Sequence, residues 1–212
     1  MKRYSFLILL PIMLFFLISC DKVNPPYMKN ETTENDTASI RKIILEEFTG
    51  HQCPNCPLGN IKAQQLKSIY GEKLILISIH AGDFAEPGTG EFADDFRCPT
   101  GNELNTFFAP TFYPKGMVSR TGFPTNAAID KDAWGTRIQT INNLAPEVKI
   151  EISNSYNSST RTSNINLEFD ALQNMTGTYK LAVYLTEDSI VSAQTTTNDP
   201  DHSDDIIHDY VH

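Results

Sequence analysis

Apolar residues in the middle of the chain fall in short unbroken runs separated by stretches with helical spacing. Ile43-Ile44-Leu45 and residues 73–80 (KLILISIH) are β-branched runs, the pattern of strands buried on both faces. Between them, residues 58–70 place Leu58, Ile61, Leu66 and Ile69 among good helix formers, which predicts a helix. Strand, helix and strand in that order imply a βαβ unit with parallel strands. Residues 81–101, rich in Gly, Pro, Asp and Phe, form a loop long enough to be functional or an insertion. Beyond it, residues 102–109 read as a short helix and 115–119 and 126–129 as strands. Residues 131–144 read as a closing helix with Trp134, Ile138 and Ile141 on one face.

From residue 146 the period changes to two. Val148, Ile150 and Ile152 alternate, as do Ile165, Leu167 and Phe169, and then Tyr179, Leu181, Val183 and Leu185. Turn-forming clusters at 154–164 and 174–178 divide them. Alternation with one apolar face predicts antiparallel, half-buried strands of a β-sandwich. The polar run 195–205 reads as a loop, and 206–212 as the start of another strand. A sandwich usually has about seven strands. With fewer, this one is expected to be incomplete, leaving an exposed apolar groove or an open edge. The fold class expected is therefore α/β plus all-β.

The N-terminus changes the picture of where the chain resides. Met1-Lys2-Arg3 precedes an apolar run at 6–18 that is too short to cross a bilayer, the layout of a secretory signal over 1–19. Leu17-Ile18-Ser19-Cys20 resembles the lipobox of bacterial lipoproteins. That resemblance implies that Cys20 becomes the first mature residue and carries the lipid. Residues 20–39 are polar and read as a flexible tether, ahead of an α/β domain at 40–145 and a β-domain at 146–212. Losing Lys2 and Arg3 takes the formal charge from −9 to about −11, which argues against nucleic acid or anionic lipid as partners.

The candidate chemistry lies in Glu47-Phe48-Thr49-Gly50-His51-Gln52-Cys53-Pro54-Asn55-Cys56-Pro57, where the first strand turns into the first helix. Unpaired N–H groups and the macrodipole at a helix start favour a thiolate over a thiol. The helix is expected to begin within a residue or two of Cys53, with Cys53 more exposed than Cys56. The spacing lets Cys56 attack a mixed disulfide formed at Cys53. Two other readings stay open: a purely structural disulfide in the exported, oxidising compartment, and half of a zinc site completed by His51 and Cys98. Cys98 is left without an assigned partner. No cofactor is expected, and no resident metal on the preferred reading.

The strand–CxxC–helix arrangement resembles the thioredoxin superfamily. By that resemblance Glu47 is a buried acid relaying protons to Cys56, with a raised pKa, and Phe48 matches the aromatic that follows it. Pro114, in Phe112-Tyr113-Pro114-Lys115, matches the cis-proline that presents substrate backbone, with Pro124 as its rival. Gln52 replaces the tryptophan that precedes the first cysteine in thioredoxins. The order of lipobox, EEFTG-x-x-CxxCP, YP-x-G-x-x-x-R, tryptophan helix and terminal I-x-x-YVH resembles the outer-membrane-protein-28-related lipoproteins. That resemblance implies a thioredoxin-like domain followed by an incomplete antiparallel, immunoglobulin-like β-sandwich. It also implies lipid anchoring in the outer membrane, and a terminal motif that continues past residue 212. The functions expected are thiol–disulfide exchange on exported cysteine-containing proteins or, with the dithiol locked, a module that binds a surface ligand.

Overall fold

The computed structural model describes residues 39–197, 203–209 and 211–212, with backbone alone at 203–207. The signal segment, Cys20 and nearly all of the tether lie outside the described residues. Four strands, β1 (Ile43–Thr49), β2 (Leu74–His80), β3 (Lys115–Val118) and β4 (Ala128–Asp130), form a mixed sheet in the order β2-β1-β3-β4. β1 and β2 run parallel, in register from Ile43 opposite Leu74 to Thr49 opposite His80. β1 with β3 and β3 with β4 are antiparallel.

Both faces of the sheet are covered, which is why apolar residues of β1 point to both sides. Ile43 and Leu45 pack with Leu66 of α1 (Cys56–Tyr70) and with Trp134 and Ile138 of α3 (Lys131–Ile141). Phe48, Ile79 and Met117 face the other way, against Leu104 and Phe108 of α2 (Pro99–Phe108). Each helix has a local start signal. Asp130 Oδ1 accepts from Asp132 N at 2.9 Å at α3, and Cys98 Sγ accepts from Gly101 N at 3.2 Å at α2. Pro99 and Pro57 occupy the first turns of α2 and α1, where the missing N–H costs nothing. α2 therefore starts three residues earlier than its apolar spacing predicts. Trp134 Nε1 donates to Ile129 O at 3.2 Å, and its ring lies so close to Gly116 that a Cβ there would stand 2.8 Å from it.

The second half of the described chain departs from the expected strand positions, although it exposes apolar residues as expected. Strands β5 (Val148–Asn157) and β6 (Thr162–Ala171) form an antiparallel hairpin, in register from Val148 opposite Ala171 to Asn157 opposite Thr162. Much of the stretch read as a long loop is thus strand. Only 158–161 turn, with Asn157 Oδ1 accepting from Ser159 N and Thr160 N. Ile150, Ile152, Ile165 and Phe169 remain exposed, so among the described residues no second sheet covers this hairpin. Its alternation marks extended backbone and not a packed sandwich.

Residues 179–185 join no ladder, although their alternation predicts a strand. The residue that anchors this stretch is Tyr184, outside the alternating set: its hydroxyl accepts from Arg120 Nη2 at 2.7 Å and donates to Glu46 Oε1 at 3.3 Å. A third ladder joins β7 (Ile190–Thr195) to β8 (Ser203–His208); the strand expected from 206 thus begins at 203, inside the stretch 195–205 expected to be loop. That ladder lies against the four-stranded sheet and its dithiol loop. Thr195 N donates to His51 O at 2.9 Å, Val211 bridges Ser78, and His212 N donates to Ser78 O at 3.1 Å.

Candidate functional site

Cys53 and Cys56 form a disulfide with Cα atoms 5.4 Å apart. The path into α1 is a series of i→i+3 turns: Cys53 N donates to Gly50 O, Cys56 N to Cys53 O and Leu58 N to Asn55 O. The helix consequently begins at Cys56, and Cys53 precedes it by three residues, one more than expected. The expected exposure is also corrected. Cys53 is 1% exposed and Cys56 2%, so neither sulfur is outermost. β7 bonds directly to this loop. Gln194 Nε2 donates to Cys53 O at 3.0 Å, to Gly50 O at 3.3 Å and to its own neighbour, Thr195 O, at 3.0 Å.

The two consecutive acids of β1 have opposite surroundings because successive side chains on a strand point to opposite faces. Glu46 faces the α2 side and forms a bidentate pair with Arg120, whose Nε and Nη2 reach it at 2.8 and 2.6 Å. Glu47 faces α1. It is buried, its Oε1 has no hydrogen-bond partner among the described residues, and burial pushes its pKa up to about 8. Most of its carboxyl is therefore protonated at neutral pH.

Gly59 makes room for this carboxyl. A Cβ at Gly59 would stand 2.2 Å from Glu47 Oε1 and 2.8 Å from the ring of Pro114. Glu47, the first full turn of α1 and Pro114 thus meet at one point. The Tyr113–Pro114 bond is cis, and so is Phe123–Pro124. Phe123 lies elsewhere, with its ring stacked on Phe107 at 5.8 Å. Of the two prolines, Pro114 is the one shown against Glu47.

Sequence reasoning missed a cluster of imidazoles beside this acid. His51 stacks on Phe92 with ring centres 5.6 Å apart, and Phe96 packs edge-on to His51 and His80. His80, at the end of β2, lies 5.7 Å from His208 of β8. Burial holds all three histidines below their ordinary pKa, His80 down to about 3, so they are neutral at pH 7. Phe92 and Phe96 come from the long loop read as functional or inserted. Its Asp94 accepts from Ser192 Oγ at 3.1 Å, and Asp95 pairs with Arg97 at 2.9 Å. The usable signals were His80 closing an apolar strand and the two phenylalanines in the loop. Nothing local marks His208 or Gln194.

A cavity of about 20 Å³, room for one water, is lined by Glu47, Thr49, Cys56, His80, His208 and Asp209 among others. Glu47 and Cys56 therefore share one polar space. Among the described residues no group of three or more His, Cys, Asp or Glu is placed to hold a metal ion, so His51 and Cys98 do not complete a zinc site with the dithiol. Cys98 is free and half-buried, occupied as the cap of α2. No described helix is long and apolar enough to cross a membrane.

No family model matches the chain, and no curated protein does. A crystal structure of a protein from Agrobacterium tumefaciens, solved in a structural-genomics programme, is similar to it at 14% identity and a TM-score of 0.42. That likeness covers 57% of this chain, which spans 55% of the other. At that level it carries no argument about fold or function.

Proposed function

We propose that this chain is a lipid-anchored envelope protein of thioredoxin-like fold, related to the outer-membrane-protein-28 lipoproteins, that exchanges disulfides with exported proteins. Cys20 is its lipid-bearing residue and the outer membrane its location. The observation that carries the exchange reading is the neutral carboxyl of Glu47, with its pKa near 8, in the same small cavity as Cys56. Pro114 lies beside it and contributes to the surface that receives the substrate backbone.

In the reducing direction, the Cys53 thiolate attacks one sulfur of a substrate disulfide and the other sulfur leaves as a thiolate. Cys56, having given its proton to ionised Glu47, then attacks Sγ of Cys53. The intermolecular bond breaks, the substrate leaves with both sulfurs reduced, and Cys53–Cys56 is oxidised. Two electrons pass to the substrate, and its two thiolates take up one proton released through Glu47 and one from solvent. In the opposite direction an incoming thiolate attacks Cys53, Cys56 leaves, and protonated Glu47 supplies its proton. A buried acid titrating near 8 serves both directions at neutral pH.

A second reading is favoured by the burial of both cysteines: a structural bridge in a module that binds a surface ligand. The reduction potential of Cys53–Cys56 separates the two. A value near −200 mV, together with transfer to a reduced or scrambled protein, supports exchange. A value below about −300 mV without transfer makes the bridge structural and removes the exchange reading.

A further inference from the structure

The segment that bonds to the carbonyls around buried Cys53 is poor in apolar side chains. Residues 192–195 are Ser, Ala, Gln and Thr, all buried, while Val191, the apolar residue before them, is exposed. Hydrophobic burial therefore does little to hold this end of β7 in place. Its attachment is polar: Thr195 N to His51 O, Gln194 Nε2 to the carbonyls of Gly50 and Cys53, and Ser192 Oγ to Asp94. Such bonds exchange for equivalent ones to water or another chain at small net cost, provided the acceptors are satisfied again.

The acceptors on the dithiol side are all backbone. Gly50, His51 and Cys53 present three carbonyl oxygens around the first cysteine, and β7 supplies one main-chain N–H and one carboxamide to them. A polypeptide in extended form offers the same donors, as when a peptide adds to an exposed backbone edge.

We propose that residues 192–195 are a displaceable occupant of a polypeptide groove at the dithiol, and that an extended segment of the partner protein replaces them on the carbonyls of Gly50, His51 and Cys53. The identity of that partner as a disulfide substrate rests on the exchange reading above; the groove and its occupant do not. Opening exposes Cys53 Sγ. An incoming thiolate forms a new S–S bond there, the Cys53–Cys56 bond breaks, and Cys56 leaves with the electron pair and takes a proton from Glu47.

The test is the rate at which dithiothreitol reduces Cys53–Cys56 in the full chain, followed against urea at concentrations below unfolding. The parent is expected to react through a local opening whose urea dependence is well below that of global unfolding. Gln194→Ala and Thr195→Pro, which remove the two sets of donors, are expected to raise the rate about tenfold or more, with Val191→Ser as a control that leaves it unchanged. The peptide Ile-Val-Ser-Ala-Gln-Thr in excess should slow reduction of the Gln194→Ala protein several-fold. Parent reduction that tracks global unfolding, variant rates equal to the parent's, or no protection by the peptide would each overturn the proposal. Should the variants open as expected while the reduced protein fails to reduce insulin, the groove stands and the exchange reading falls.

Discussion

Replacing Glu47 by Gln tests the chemistry of the site through stability alone. The ordinary pKa of the carboxyl is 4.5, and burial takes it to about 8 in the folded protein. Between these values the folded chain holds a proton that the unfolded chain releases, so rising pH favours unfolding. The contribution of neutral Glu47 is complete below pH 4.5 and is lost as pH rises through 8. His80 acts with the opposite sign. Its ordinary value of 6.5 falls to about 3, so its contribution is complete above 6.5 and is lost on acidification toward 3. His51 and His208 shift in the same direction and steepen the acid branch. Parent stability should therefore peak near pH 6.5. From there to pH 8 the Glu47 loss, at about 1.4 kcal/mol per pH unit, amounts to roughly 2 kcal/mol. With a urea slope of about 2 kcal/mol/M, the midpoint falls by about 1 M between pH 6.5 and 9. Glu47→Gln, nearly the same shape and unable to ionise, should show no such fall. Urea unfolding of both proteins at pH 6.5, 8 and 9, disulfide intact, measures it. Equal losses in the two would refute the reasoning, because the carboxyl would then not be the group that titrates.

Gly59→Ala places a methyl into the point where Glu47, Pro114 and α1 meet, and backbone movement there should cost about 1–3 kcal/mol in urea unfolding. A stability within about 0.5 kcal/mol of the parent, the spread of ordinary surface changes, would mean that the three elements are not in tight contact there. At Cys98, Ser preserves a side-chain acceptor for Gly101 N and should leave stability nearly unchanged, whereas Ala should lose about 1 kcal/mol with the cap. Equal melting of Cys98→Ser and Cys98→Ala would remove the capping role.

The elements around the dithiol were legible because their cause is local. An unbroken apolar run must be covered on both faces, and the runs in β1 and β2 are, apart from Ile75; Trp134, Ile138 and Ile141 share a helix face and are all buried. The acid at position 47 was legible only through the resemblance to thioredoxins, since Glu46 beside it is buried on the same strand. β7 was not. Ser, Gln and Thr carry no burial signal, and the carboxamide of buried Gln194 finds acceptors as far away as Cys53, 141 residues back along the chain. The exposure of Cys53 was misjudged for the same reason: nothing near it in sequence shields it. Residues 179–185 failed in the other direction. Alternation records which side of an extended chain is apolar, but a ladder needs a neighbour, and the described chain supplies none there.

The opposed surroundings of Glu46 and Glu47 make β1 intolerant of sliding. A shift by one residue would turn the wrong acid toward α1. Slid one way, Glu46 would lie against Gly59 without its guanidinium; slid the other way, Glu47 would meet Arg120 and surrender the proton it now keeps. Two adjacent, chemically identical residues thereby encode the phase of the strand. The protonation state beneath Cys56 is an outcome of that phase.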